Sequence, residues 1–136
     1  MAKSNFLRAY ETSMGQHTDA PDIYHPACAY AIFGALLTRA KYRVRLQGGM
    51  PAGWTNLWVI LLGDSGEARK TTAIGMAQDV LMRVDKDLVG PSDGSPEGFL
   101  AHLSNRHKEL KNNASSMLIA GEFSTVLTLM DRNYAA

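Results

Sequence analysis

Residues 63–72, Gly-Asp-Ser-Gly-Glu-Ala-Arg-Lys-Thr-Thr, set two glycines ahead of a lysine and two hydroxyls. Those residue types suit the cradling of phosphate. Backbone N–H groups in a tight glycine turn, joined by the unpaired N–H groups that open a helix, make an anion-binding hollow at the positive end of the helix dipole. Lys70 would bridge the terminal phosphates and the Thr71 hydroxyl would sit on a magnesium ion, with Gly63, Asp64, Ser65, Gly66, Glu67, Ala68, Arg69 and Thr72 completing the loop. The usual pattern places four residues between the glycines and the lysine directly after the second. Here the stretch is one residue longer and Arg69 precedes Lys70. Putting Ala68 and Arg69 in the glycine and lysine slots would leave Lys70 where a hydroxyl belongs, which favours the register with Lys70 and Thr71. A chance glycine turn between a strand and a helix is the plainer alternative.

Positioning such a loop takes an element on each side. Residues 57–62, Leu-Trp-Val-Ile-Leu-Leu, form an apolar run without polar alternation that predicts a buried strand ending at Gly63. After the loop, Ala73, Ala77, Val80, Leu81, Val84 and Leu88 recur as one face of a helix.

The loop resembles the variant phosphate-binding loop of P-loop ATPase domains in phage, plasmid and prophage replication proteins, often found behind a primase module, where Arg-Lys also replaces Gly-Lys. The upstream helix with its basic strand, the helix start at residues 95–100 and Leu-Ile-Ala-Gly-Glu-Phe at 118–123 are similar to that family in order and spacing. The resemblance implies an α/β fold: a P-loop NTPase-like parallel sheet flanked by helices, incomplete here, with an N-terminal helical segment. It divides the chain into residues 1–53, helical with a basic strand, and residues 54–136, the front part of the ATPase core. It implies ATP and magnesium as cofactors, Lys70 and Glu122 as catalytic residues, helicase-like DNA replication, and a homo-oligomer in the full-length protein. Glu122 would polarise the attacking water, with Gly121 replacing the family's magnesium-side aspartate. The family's later strands and arginine finger do not follow residue 136, so the chain is expected to be the front of a larger ATPase. A sensor strand would then separate 57–62 from a second strand at 117–120. The alternative function is a non-hydrolysing nucleotide-binding scaffold or assembly module, favoured by the altered loop and by Gly121.

A chain of 136 residues, 46% of them hydrophobic, can bury one core. Its net charge of +1 gives no global field for nucleic acid, so any such contact needs a local patch. Residues 41–46, Lys-Tyr-Arg-Val-Arg-Leu, alternate strictly and predict a strand that puts Lys41, Arg43 and Arg45 on one face. With Arg39 nearby they could follow a DNA backbone, but the solvated face of an edge strand is the favoured explanation. The lone Cys28 lies in an alanine-rich run that suits a buried, inert thiol. No apolar run is long enough to span a bilayer and the N-terminus carries no signal-like stretch, which predicts a cytoplasmic protein with no membrane partner.

The remaining elements follow from spacing and caps. Phe6, Leu7, Tyr10 and Met14 predict a short amphipathic helix, and Asp22 is placed to cap a helix over about 24–40. Residues 87–90 predict a short strand. Ser95 and Pro96 open a helix to about residue 111, with Phe99, Leu100, Leu103 and Leu110 inward and His102, Arg106 and His107 solvated.

Overall fold

A computed structural model describes residues 5–45, 47–48, 52–64, 67–91, 96–109 and 115–121. Helix α1 (Phe6–Gly15) is followed by α2 (Tyr24–Arg39), the short strands β1 (Arg43–Val44) and β2 (Gly53–Trp54), α3 (Lys70–Asp85), a 3-10 turn (Lys86–Leu88) and α4 (Pro96–Glu109).

Helix α1 begins at its amphipathic stretch because the Asn5 side chain accepts from the Leu7 N–H at 3.1 Å. It packs on α2, burying Tyr10 and stacking Phe6 on Phe33 with ring centroids 6.3 Å apart. Helix α2 covers the expected residues, but its N-cap is Ile23 and no side chain caps it, so the role expected of Asp22 is not taken up. At its other end the Lys41 N–H donates to the Thr38 carbonyl at 3.0 Å and the Tyr42 N–H to the Leu37 carbonyl at 2.9 Å, with Lys41 left-handed at φ 60. This Schellman closure satisfies carbonyls that the helix end leaves free. It also overrides the alternation of residues 41–46, since Lys41 and Tyr42 are spent on the cap and strand geometry survives only at Arg43–Val44.

The expected parallel α/β sheet is not what forms. Among the described residues the sheet is a two-stranded antiparallel pair, β1 with β2, in the register Arg43 to Trp54 and Val44 to Gly53, and most of the ordered structure is helical. A single parallel bridge joins Val89 to Met117. Residues 57–62, expected as a buried strand, pair with no strand among the described residues; Leu57, Trp58, Val59, Ile60 and Leu62 are exposed, Leu62 to 81%. The segment lies along α2 instead. The Thr55 and Thr38 hydroxyls meet at 3.0 Å at one end, and the Tyr24 hydroxyl donates to the Leu62 carbonyl at 2.6 Å at the other. Seven extended steps cover about 23 Å and the helix from Tyr24 to Thr38 rises about 21 Å, so the two run alongside in opposite directions.

Of the strand expected at 117–120, only Met117 pairs, its N–H donating to Leu88 at 2.6 Å and its carbonyl accepting from Gly90 at 3.0 Å. No backbone hydrogen bond among the described residues joins it to 57–62. The strand expected at 87–90 is displaced by the 3-10 turn, which the Asp85 side chain opens by accepting from the Asp87 N–H at 3.0 Å.

The core gathers Tyr10, Tyr24, Cys28, Ala29 and Ile32 from α1 and α2 with Ala73, Ala77 and Leu81 from α3 and Leu88 from the turn. Ile32, Leu81 and Leu88 are fully buried, each worth about 1.5–3 kcal/mol. Val84, expected inward, is 61% exposed, while Ala73, Ala77 and Leu81 of α3 are buried and Val80 packs partly buried against the core. On α4, Leu100 is also exposed, and Arg106 is paired rather than solvated: it donates to Asp87 at 2.8 Å and to Glu109 at 3.3 Å. Ser95 and Leu110 lie outside the described residues. No helix among the described residues is long and apolar enough to cross a membrane.

Two expected outcomes test this packing. A Cβ at Gly34 would stand 2.7 Å from the Thr55 carbonyl oxygen, whereas one at Gly75 of α3 meets nothing within 4 Å. In urea titrations Gly34→Ala should destabilise by about 1–2 kcal/mol, because overpacking outweighs the helix-propensity gain. Gly75→Ala should stabilise by about 0.5–1 kcal/mol. Equal effects would mean that residues 55–57 do not press on α2. Second, burial pushes the Cys28 thiol up to about 11, and its S–H donates to the Ala73 carbonyl at 3.8 Å. At pH 8 the native protein should react with a thiol reagent more than about a hundredfold more slowly than the urea-unfolded chain, since the thiolate is the nucleophile; comparable rates would show an open thiol.

Candidate functional site

The first intrahelical bond of α3 runs from the Ala73 N–H to the Arg69 carbonyl at 3.1 Å. The N–H groups of Lys70, Thr71 and Thr72 therefore have no acceptor within the helix. In contrast to α1 with its Asn5, no side chain caps α3; the N-cap is Arg69, held left-handed at φ 46 and ψ 30. A helix of 16 residues thus opens at its positive end with donors that no described residue takes up.

The chain ahead of the helix folds back over that end. The Lys70 ammonium donates to the Gly63 carbonyl and, at 3.2 Å, to the Asp64 carbonyl, while the Ala68 N–H reaches Asp64 at 3.4 Å. Gly63 is required by proximity: a Cβ there would run into the Tyr24 hydroxyl and come within 2.6 Å of the Ala68 Cβ. Since the same hydroxyl holds the Leu62 carbonyl, the start of the loop is pinned to the first turn of α2. Gly63, Asp64, Arg69, Lys70, Thr71 and Thr72 all border one cleft of about 1140 Å³ between α2, α3 and the segments 56–64 and 115–121.

The structure thus brings Gly63, Asp64, Ala68, Arg69, Lys70, Thr71 and Thr72 together, with Glu67 exposed nearby in the chain. Ser65, Gly66 and Glu122 lie outside the described residues, although Gly121 lines the same cleft. Thr71 and Thr72 are exposed at the helix start, so both hydroxyls are open to a ligand. One protein oxygen suits magnesium, which keeps several waters and takes further oxygens from the phosphates themselves. Among the described residues no three His, Cys, Asp or Glu side chains cluster as a metal-only site.

No family model, curated protein or solved structure matches this chain. What the cleft can bind is set by its own geometry: a cation, a run of free amides and a helix dipole all address an anion with several oxygens.

The basic stripe divides. Arg39 is drawn to Asp85, with its Nε at 3.2 Å from the carboxylate, and so leaves the patch. Lys41 belongs to the α2 cap, while Arg43 and Arg45 stay exposed and the Arg43 guanidinium lies 4.1 Å from the centre of the Trp54 ring. Two residues of the site are absent from any local pattern. Tyr24 acts on Leu62 across 38 positions, and Asp19, in the connector between α1 and α2, pairs with Arg69 at 3.4 Å. Only the tertiary fold shows either contact.

Replacing Lys70 with alanine removes the ammonium at the start of α3. By isothermal titration with ATP and magnesium, Lys70→Ala should lose about 1.5–3 kcal/mol, roughly tenfold to a hundredfold in affinity. Equal affinity in both proteins would place the anion elsewhere.

Proposed function

We propose that the chain binds ATP with magnesium and serves as the ATP-hydrolysing module of a mobile-element DNA replication protein with helicase-like action in the cytoplasm. The observation that carries the nucleotide part is the Lys70 ammonium closed onto the Gly63 and Asp64 carbonyls above an uncapped helix start. The lysine takes neutral carbonyl acceptors of its own loop. A polyphosphate offers stronger, charged acceptors at the same place, and the free amides of α3 add donors that the carbonyls of the loop cannot use.

Lys70 and the loop amides hold the phosphates, Thr71 takes one position on magnesium, and Glu122 orients the attacking water. Phosphoryl transfer asks mainly for positioning and charge stabilisation, which these groups supply. DNA is met by Lys41, Arg43 and Arg45 near the hairpin, where Trp54 adds an aromatic face beside Arg43. A scaffold that binds nucleotide without turnover is the second reading. Gly121, at the point in the chain where a magnesium-side carboxylate would help, favours it.

Steady-state phosphate release separates the two. Turnover that falls by about a hundredfold or more in Glu122→Gln, with ATP affinity retained, supports hydrolysis. ATP binding with no turnover in either protein supports the scaffold, and no binding in either refutes both.

A further inference from the structure

We propose that Asp19 is a built-in competitor for the nucleotide phosphates, holding Arg69 away from the helix start until a phosphate takes its place. The inference rests on the nucleotide-binding function proposed above and adds a regulatory contact to it. Three observations carry it. Arg69 is the N-cap of α3, one residue before Lys70, and its side chain borders the same cleft. Its Nε stands 3.4 Å from the Asp19 carboxylate, with both side chains largely exposed, at 54% and 73%. Asp19 is itself held in place: the next residue, Ala20, is buried in the core, and its N–H is taken by the Thr18 hydroxyl at 3.1 Å.

The geometry sets up an exchange. A guanidinium at a helix N-cap adds positive charge where the dipole is already positive, and Asp19 is the carboxylate that answers it. An exposed pair of this kind is weak, so a phosphate oxygen outbids it without a large penalty. When Arg69 swings to the phosphate, Asp19 loses its partner, and the connector between α1 and α2 is released from the loop. Nucleotide occupancy would in this way be reported to the N-terminal helices by one arginine changing partners.

The test is a double-mutant cycle read as the affinity for ATP with magnesium by isothermal titration. Asp19→Asn should tighten binding about two- to fivefold, because Arg69 is freed in advance. Arg69→Ala should weaken it about tenfold through loss of a charged hydrogen bond. In the Arg69→Ala background, Asp19→Asn should then change affinity by less than about twofold. If Asp19→Asn tightens binding equally in both backgrounds, the aspartate acts only as a distant repulsive charge and the exchange is wrong. Equal affinity in all four proteins overturns the exchange while leaving the nucleotide site intact. If none binds ATP, the nucleotide-binding function itself fails and the exchange fails with it.

Discussion

Among the described residues no strand pairs with residues 55–62, and α2 supplies the holds instead. Thr38 meets Thr55 at one end and Tyr24 takes the Leu62 carbonyl at the other, while Gly34 leaves room for the backbone to approach. Leu57, Trp58, Val59, Ile60 and Leu62 stay exposed along the segment, while Leu61 packs against the core. Gly63 inherits its position from the same holds, since it follows the carbonyl that Tyr24 fixes.

Charge is organised around the turn that ends α3. Asp85 receives Arg39 from α2 and Asp87 receives Arg106 from α4, so two carboxylates two residues apart tie two helices to one turn. The Arg106 guanidinium holds the Asp87 carboxyl below its usual range. Because the folded value is depressed, this pairing favours the fold at neutral pH. Its contribution fades as the pH falls through the depressed value and the carboxylate takes a proton.

The helices were legible because their signals are local. Spacing and end signals place α2 to within a residue and start α3 at Lys70, but α3 ends at Asp85 and Leu88, expected on its face, falls in the 3-10 turn. The sheet was not legible for the opposite reason: an apolar run states that a segment can be a strand but names no partner, and pairing is a property of two segments. The alternation at 41–46 failed on a narrower point, because a helix cap claimed Lys41 and Tyr42 before a strand could. In the candidate site, the run from Lys70 to Thr72 could be read directly, whereas Tyr24 and Asp19 act across tertiary space and leave no trace in spacing.

Arg69 sits in a left-handed conformation that a side chain with a Cβ adopts only at a cost of about 1–2 kcal/mol, and glycine at almost none. Judged as architecture, position 69 would be better filled by glycine, which would relax the backbone and remove a positive charge from the wrong end of a helix. The chain carries an arginine there. The helix start is thus loaded against its own stability, and Arg69→Gly would be expected to give a steadier fold and, under the proposed function, a poorer grip on anions.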